Sequence, residues 1–143
     1  MKNYLKYWRV VRHFIKAKYG LTQSDLEMLL FLRSEKYFAK ADFDEFNELF
    51  GWERDRFERL RKDGWIESFR KKDGSKKAIY QLSYRAQRMC HSVYTKLEGE
   101  EIPESKTSNP MFLANVSYTD KVYRNYIKKM NQKLRSRRFN DDD

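Results

Sequence analysis

The stretch FDEFNELFGWERDRFERLRKDGWIESFRKKDGSKKAIYQLS, residues 43–83, decides the fold. Its first part places phenylalanine and leucine at helical spacing, which predicts a short helix over 43–50. Gly51 ends that helix, because glycine readily adopts the left-handed conformation that follows a last helical turn. A second short helix is predicted over 53–63, so the two helices and their tight connection form a helix-turn-helix.

The remainder of this stretch predicts a β-hairpin. Two runs of strand-forming residues, 67–71 and 76–82, flank the dipeptide Asp73-Gly74. Asp-Gly is a strong hairpin signal, because both central residues of the favoured turn need a positive φ. With this dipeptide at the centre of the turn, the predicted cross-strand pairs are Phe69 with Ala78 and Trp65 with Leu82.

The segments on either side add four helices. Apolar stripes and end signals predict these helices over 3–19, 22–34, 84–97 and 119–138. Thr22, Ser83 and Thr119 are the predicted N-terminal caps, and Thr22 with Asp25 resembles a capping box. Residues 99–118 hold both prolines and are predicted to form a loop.

This order of elements predicts a winged helix-turn-helix, mainly α with a β-hairpin wing. We place the winged helix-turn-helix domain, with its N-terminal helix, at residues 1–98. A linker follows over 99–118, and a C-terminal helix with an acidic tail occupies 119–143.

A winged helix-turn-helix projects the outer face of its second helix into a DNA groove. The residues predicted to anchor that helix inward are Trp52, Phe57, Leu60 and Trp65. The DNA contacts predicted on and beside the recognition helix are Arg54, Asp55, Arg56, Glu58, Arg59 and Lys62. A narrow basic hairpin can contact phosphates or enter the minor groove. The DNA contacts predicted on the wing are Arg70, Lys71, Lys72, Ser75, Lys76 and Lys77.

The distribution of charge also points to a polyanionic partner. The chain of 143 residues carries 31 lysines and arginines against 21 acids, a net charge of +10. Residues 54–98 hold 13 bases and six acids, whereas residues 20–53 hold three bases and eight acids. A basic face of this kind attracts polyanions at long range, and double-stranded DNA is the first candidate. Composition leaves open a basic surface that only maintains solubility.

Composition excludes several classes of protein. Aromatic residues reach 16%, too many for a disordered polyelectrolyte, and one cysteine excludes an intramolecular disulfide framework. Two histidines leave no His/Cys metal cage, and no phosphate-binding glycine loop or nucleophile motif is present. We therefore predict no catalysis, no cofactor and no metal. Without a long apolar run or a signal-peptide pattern, we predict no membrane partner and a cytoplasmic or nucleoid-associated location, not secretion.

Several segments resemble the MarR-type winged-helix transcriptional regulators. They are GLTQSDLEMLLFL (20–32), FDEFNELFG (43–51), RFERLRKDGWIES (56–68), KKDGSKKAIYQLS (71–83) and YRAQRMCHSVYTKLEG (84–99). The resemblance implies a homodimer that binds palindromic duplex DNA, usually as a repressor, through intertwined first and last helices. Residues implied at the dimer interface are Tyr4, Trp8, Val11, Ile15, Tyr123, Ile127, Met130 and Leu134. A small-molecule effector is a family expectation for which no residue here singles out a site.

The sequence is also compatible with a second function. The predicted recognition helix is about one turn shorter than is usual in that family, and Asp55 and Glu58 lie among its bases. Acids on this face repel phosphates unless they accept from cytosine amino groups. The alternative to a DNA-binding regulator is therefore a winged-helix protein-interaction module, or a component of a larger assembly.

Overall fold

A computed structural model describes the backbone of residues 4–141 and the side chains of residues 4–137. Its helices are α1 (Tyr4–Tyr19), α2 (Gln23–Glu35), α3 (Lys40–Leu49), α4 (Arg56–Lys62), α5 (Tyr84–Leu97) and α6 (Tyr118–Asp141). Its strands are β1 (Ile66–Arg70) and β2 (Ile79–Leu82), and a 3-10 turn spans Pro110–Phe112. This is a mainly α chain with a β-hairpin in the order of a winged helix-turn-helix, so the predicted fold class is confirmed. The predicted helix start at residue 3 and the final residues 142–143 lie outside the described backbone.

The chain divides into two compact units. Residues 22–91 form one unit, which contains the helix-turn-helix and the hairpin. Of the described backbone, residues 4–21 and 92–141 form the other, which contains α1 and α6. The first helix therefore belongs with the last one, and α5 runs from one unit into the other.

Two of the predicted helix caps are confirmed. Thr22 Oγ1 accepts a hydrogen bond from the Asp25 N–H at 3.1 Å at the start of α2. Ser83 Oγ accepts from the Ala86 N–H at 3.2 Å at the start of α5. Each oxygen satisfies a backbone donor that has no partner within its own helix.

Two other helices begin earlier than predicted. The third helix begins at Lys40, because the Asp42 carboxylate accepts from the Ala39 N–H at 2.9 Å and fixes the first turn there. The last helix is capped by Ser117, whose Oγ accepts from the Asp120 N–H at 3.1 Å. The prediction of Thr119 as that cap is therefore wrong, because Ser117 has a side chain that can make the same bond.

The hairpin forms where predicted, but its register is wrong. The observed pairs are Ile66 with Leu82, Glu67 with Gln81, Ser68 with Tyr80, and Arg70 with Ile79. Phe69 is skipped in a β-bulge, which places two residues of β1 opposite one of β2. The predicted pairs of Phe69 with Ala78 and of Trp65 with Leu82 are therefore absent.

The turn explains part of this shift. The backbones of Asp73 and Lys76 exchange two hydrogen bonds, at 3.1 and 2.9 Å, so the central residues are Gly74 and Ser75. Gly74 has a φ of 57°, which suits the first central position of a type II′ turn. The turn lies one residue beyond the predicted dipeptide because Gly-Ser and Asp-Gly both satisfy hairpin geometry.

A third segment extends this small sheet. Phe38 forms an isolated bridge with Tyr80, through backbone hydrogen bonds of 3.0 and 2.8 Å in the two directions. Phe57 of α4 contacts both Phe43 and Tyr80 edge-to-face, with ring centroids 5.0 Å apart in each pair. These aromatic contacts join the helix-turn-helix to the base of the hairpin.

The unit that contains α1 and α6 buries most of the apolar side chains that the family resemblance assigns to a dimer interface. Val11, Ile15, Ile127, Met130 and Leu134 are buried within this single chain, together with Ile102 and Met111 of the intervening segment. Trp8 and Tyr123 are half-buried, and Tyr4 is exposed. The expectation that the whole stripe faces a second copy is therefore wrong, because these side chains already form the unit's own core.

Residues 99–117 are more than a linker. Asn131 of α6 is buried, and its amide accepts from the Ile102 N–H at 3.1 Å and donates to the Ile102 carbonyl at 2.8 Å. Asn109 is also buried, donates to the Pro103 carbonyl at 2.8 Å, and caps the 3-10 turn. The segment is thus fixed to α6 by side-chain bonds to its backbone.

Candidate nucleic-acid interface

A buried carboxylate organises the helix-turn-helix. The Asp25 side chain, on α2, is 2% exposed, and both of its oxygens accept hydrogen bonds from arginines of α4. Arg56 Nε lies 3.1 Å from Asp25 Oδ1, and Arg59 reaches the same carboxylate through both terminal nitrogens. Because a buried charge is tolerated only when it is paired and hydrogen-bonded, this contact fixes α4 against α2.

The guanidinium of Arg56 is used inside the protein. Besides Asp25, it donates to Asn47 Oδ1 at 2.6 Å, to the Gly51 carbonyl at 3.1 Å and to the Glu53 carboxylate at 3.3 Å. Its side chain is 4% exposed. The predicted placement of Arg56 on the outer face is wrong, because α4 begins at Arg56 and the side chain turns inward to a carboxylate distant in sequence.

Arg59 is paired with two carboxylates but keeps part of its surface exposed. Its Nη2 lies 2.7 Å from Glu53 Oε1 and 3.1 Å from Asp25 Oδ1, and the side chain is 36% exposed. The hydrogen bond to Asp25 is the main cause of a raised pKa at Arg59, and Glu53 adds to it. The group stays cationic, but a phosphate would have to compete with both carboxylates for it.

The remaining surface of α4 is close to charge-balanced. Arg54, just before the helix, lies 3.3 Å from the Asp55 carboxylate, and both side chains are well exposed. Glu58 lies 3.8 Å from Arg61, one turn along the helix. Lys62 is exposed and has no carboxylate partner among residues 4–137. Of the predicted contacts on this helix, Lys62 and Arg54 are the bases best placed to meet an anion.

The wing tip, which we define as residues 70–77, carries a compact positive charge. Its five bases, Arg70, Lys71, Lys72, Lys76 and Lys77, are exposed, as is Ser75. Arg70 Nη2 donates to the Lys77 carbonyl at 2.9 Å and joins the two arms of the hairpin. The four lysines make no ion pair with any side chain that the structure describes. The predicted wing residues therefore lie together on one hairpin, and their contact with DNA stays a prediction.

The two tryptophans beside α4 differ in placement. Trp65 is buried as predicted, with the Arg85 guanidinium 3.9 Å from its ring centroid. Trp52 is 61% exposed, so its predicted inward position is wrong. Because α4 begins only at Arg56, the indole is not in helical phase with the buried Phe57.

The sequence did not identify Asp25, Asn47 and Glu53 as organisers of this region. The sequence pattern explains Asp25 as part of the α2 capping turn, and so it gives no reason to expect a buried ion pair with the arginines of α4. Asn47 and Glu53 lie close to Arg56 in sequence, but nothing local distinguishes them from solvated polar residues. A buried ion pair between residues 31 positions apart leaves no periodic signal.

Other kinds of site are sparse in the described part of the chain. No group of three or more His, Cys, Asp or Glu side chains between residues 4 and 137 could hold a metal ion. No helix within the described residues has the length and apolar character needed to cross a membrane. Cys90 is buried in α5, and burial raises the pKa of its thiol to about 11.

Comparison with solved structures finds a likeness to a mutant MarR from E. coli complexed with operator DNA. The sequence identity is 12%, the TM-score is 0.46, and the match covers 87% of this chain and 84% of that chain. No protein-family model matches the chain, and no curated protein matches it. The order of helices and strands and the antiparallel pairing of β1 with β2 are what show the winged-helix fold of this chain.

Proposed function

We propose that this chain is a DNA-binding transcriptional regulator whose wing contacts the phosphate backbone of duplex DNA. The supporting observation is the wing tip, where five exposed bases share one hairpin and four lysines have no carboxylate partner within the described residues. Each lysine that neutralises a phosphate releases counterions, which supplies sequence-independent affinity. Lysine is a compact charge on a flexible stem and suits phosphate contact better than shaped readout of bases.

The helix-turn-helix would give the wing a rigid base and contribute little base readout. Arg56 and Arg59 are held by Asp25 and Glu53, and so they support the motif from inside. Lys62 and Arg54 remain for contact with DNA, beside carboxylates that reduce their net attraction. Binding that depends chiefly on the wing should tolerate changes of base sequence.

A homodimer is part of the proposal, but it needs a smaller interface than the family resemblance implies. Among residues 4–137, the large apolar side chains exposed on α1 and α6 are Tyr4, Leu5, Tyr118 and Tyr126, and these would have to meet the second copy. Light scattering at increasing protein concentration tests this point. A mass that stays at 17.6 kDa would remove the dimer from the proposal.

The experiment that tests DNA binding compares two variants with the same reduction of charge. In the wing variant, Lys71, Lys72, Lys76 and Lys77 are changed to glutamine. In the control variant, the exposed lysines Lys106, Lys121, Lys129 and Lys133 are changed to glutamine. Affinity for a random-sequence duplex is then measured over a range of salt concentrations.

We expect the wing variant to bind the duplex much more weakly and to show a shallower dependence on salt. The slope of log K against log salt falls by about 0.9 for each phosphate that the protein no longer neutralises. The control variant should keep the wild-type slope. An equal reduction of affinity in the two variants would mean that only net charge matters, and the proposal would fail.

The alternative is a protein-interaction module, and one observation favours it. Leu49 and Trp52, at the end of α3 and in the following turn, are both well exposed, whereas two arginines of α4 are already paired with Asp25. Absence of duplex binding by the folded wild-type chain at low salt would favour this alternative. Selection from a random duplex library separates a sequence-specific regulator, which enriches a two-fold symmetric motif, from a backbone binder, which enriches none.

A further inference from the structure

Two aromatic rings lie together on the solvent side of the hairpin. Tyr37, between α2 and α3, and Phe69, on β1, have centroids 4.4 Å apart and ring planes tilted by 36°. They are 42% and 55% exposed. The two rings form a small exposed apolar patch beside a charged hairpin, and aromatic side chains are common at recognition surfaces because a flat ring can pack against a partner.

The strand pairing explains why Phe69 faces solvent. Ile66 and Leu82 face each other in the ladder and are buried, so alternate residues of both strands point to the opposite face. Phe69 lies on that outer face and is the residue that the bulge leaves unpaired. Alternation along β1 therefore directs a phenylalanine outward at the point where the basic wing tip begins, and the bulge leaves it without a partner in the ladder.

Tyr37 is placed by an unusual backbone turn. Lys36 has φ 60° and ψ −60°, and the Tyr37 N–H donates to the Glu35 carbonyl at 2.6 Å, which together form a γ-turn. This conformation is strained for a residue with a side chain. Among the described residues other than glycine, Lys36 alone has a positive φ. The next residue, Phe38, is fixed to the sheet by its bridge to Tyr80, so Tyr37 projects onto the outer face.

Each ring of the pair has a base beside it in the chain. Lys36 Nζ lies 5.4 Å from the Tyr37 ring centroid, and Arg70 follows Phe69 directly in the chain. Glu67, two residues before Phe69 on β1, accepts from Gln81 at 2.9 Å. Exposed rings interleaved with lysines and arginines match a nucleic-acid strand with unpaired bases, because bases stack on rings while phosphates meet the cations.

We infer that the Tyr37–Phe69 pair is a stacking site for unpaired bases of a strand whose phosphates contact the wing tip. This inference rests on the proposed binding of DNA by the wing and adds a preference within it. Paired bases in an uninterrupted duplex present no free face to a ring. The chain would therefore prefer a duplex that continues into a single strand over the same duplex with blunt ends.

The test uses the full chain and three labelled DNAs of matched sequence, namely a blunt duplex, that duplex with a single-stranded extension, and the single strand alone. The binding-site variant changes both Tyr37 and Phe69 to leucine, which keeps apolar bulk but removes the rings. The matched control is Tyr84→Leu, because Tyr84 is an exposed aromatic on α5. Circular dichroism checks that each variant is folded.

We expect the double leucine variant to bind the extended duplex about tenfold or more weakly than wild type, since removing one base–ring stack has an effect of this size. Its affinity for the blunt duplex should change by no more than about twofold, and Tyr84→Leu should bind all three DNAs as wild type does. The stacking site is overturned if the double leucine variant binds the extended duplex as tightly as wild type does. The proposed function still stands in that case, provided that the wing variant binds DNA more weakly than wild type. Absence of wild-type binding to all three DNAs overturns both.

A second measurement does not depend on a variant that folds. Wild-type protein is crosslinked by light to the extended duplex with 5-iodouracil in its single-stranded part, and the modified residues are identified by mass spectrometry. Crosslinks at Tyr37 or Phe69 support the stacking site. Crosslinks confined to other residues, such as the exposed Trp52, overturn it.

Discussion

Arg56 Nε and Asp25 Oδ1 lie 3.1 Å apart where both side chains are almost completely excluded from water. The pair joins the first residue of α4 to the first turn of α2. Asn47 of α3 accepts from the same guanidinium at 2.6 Å, so three helices of the motif meet at one charged group. This arrangement holds the helix-turn-helix together and keeps the Arg56 guanidinium inside the protein.

We expect Arg56→Met to destabilise the protein strongly. Removing one partner of a buried ion pair leaves the other charge in low dielectric, which costs about 3–5 kcal/mol. Arg59 still pairs with Asp25, so the destabilisation should lie near 3 kcal/mol, the lower end of that range. Urea unfolding monitored by circular dichroism measures it. The control Arg54→Met removes an exposed pair and should change stability by no more than about 0.5 kcal/mol.

A double-mutant cycle sharpens this prediction. With Asp25→Asn in the background, the Arg56→Met change should cost clearly less than it does in wild type, because the buried charge is already gone. Equal costs in the two backgrounds would show that Arg56 contributes packing and not charge pairing.

Much of this fold could be predicted because its signals are local. Thr22 and Ser83 precede apolar helical stripes, and both cap the helices that they were predicted to cap. Helix caps and apolar periodicity depend on residues within a few positions of one another. The order of helices and hairpin follows from such signals, and with it the fold class.

The failures have two physical sources. A hairpin can shift by one residue when neighbouring dipeptides both suit the turn, and a bulge such as that at Phe69 has no periodic signature. The inward turn of Arg56 depends on Asp25, which is far away in sequence. Ile15 and Ile127 are buried within one chain, but the sequence alone could not distinguish this from burial in a dimer interface. Both arrangements need the same helical spacing of apolar residues.

The wing turn can be tested through Gly74, which has a φ of 57°. We expect Gly74→Ala to destabilise the protein by about 1–2 kcal/mol, because a Cβ disfavours the left-handed region. Ser75→Ala is the control and should have an effect below about 0.5 kcal/mol. Thermal unfolding measures both. Cross-strand nuclear Overhauser effects between Ile66 and Leu82 would confirm the observed register, and effects that pair Trp65 with Leu82 would contradict it.

Asn131 should be important for the unit formed by α1 and α6. Its amide satisfies both backbone polar groups of Ile102, so Asn131→Ala leaves a buried donor and acceptor unpaired. The expected destabilisation is about 1–3 kcal/mol. Faster tryptic cleavage after the exposed Lys106 would report local release of the segment. The exposed neighbour Gln132 is the control, and equal cleavage of Gln132→Ala and Asn131→Ala would show that these bonds do not hold the segment.

We predict that the buried thiol of Cys90 makes the protein less stable at alkaline pH. Its thiol is buried, 3.7 Å from the Leu29 carbonyl, and burial raises the thiol pKa from 9.0 to about 11. Between these values the unfolded thiol releases its proton while the folded thiol keeps it. Stability should therefore be unaffected by this group below pH 9, and it should fall as the pH rises towards 11.

The variant Cys90→Ala isolates this effect from the titration of lysines and tyrosines. Wild type should be destabilised by on the order of 2 kcal/mol more than Cys90→Ala over that interval, as urea unfolding at several pH values would measure. Parallel stability curves for the two proteins would contradict a raised pKa at Cys90. Alkylation of the native thiol near about pH 8 should be slow and should accelerate in denaturant, because the thiolate is the reactive form and burial disfavours it.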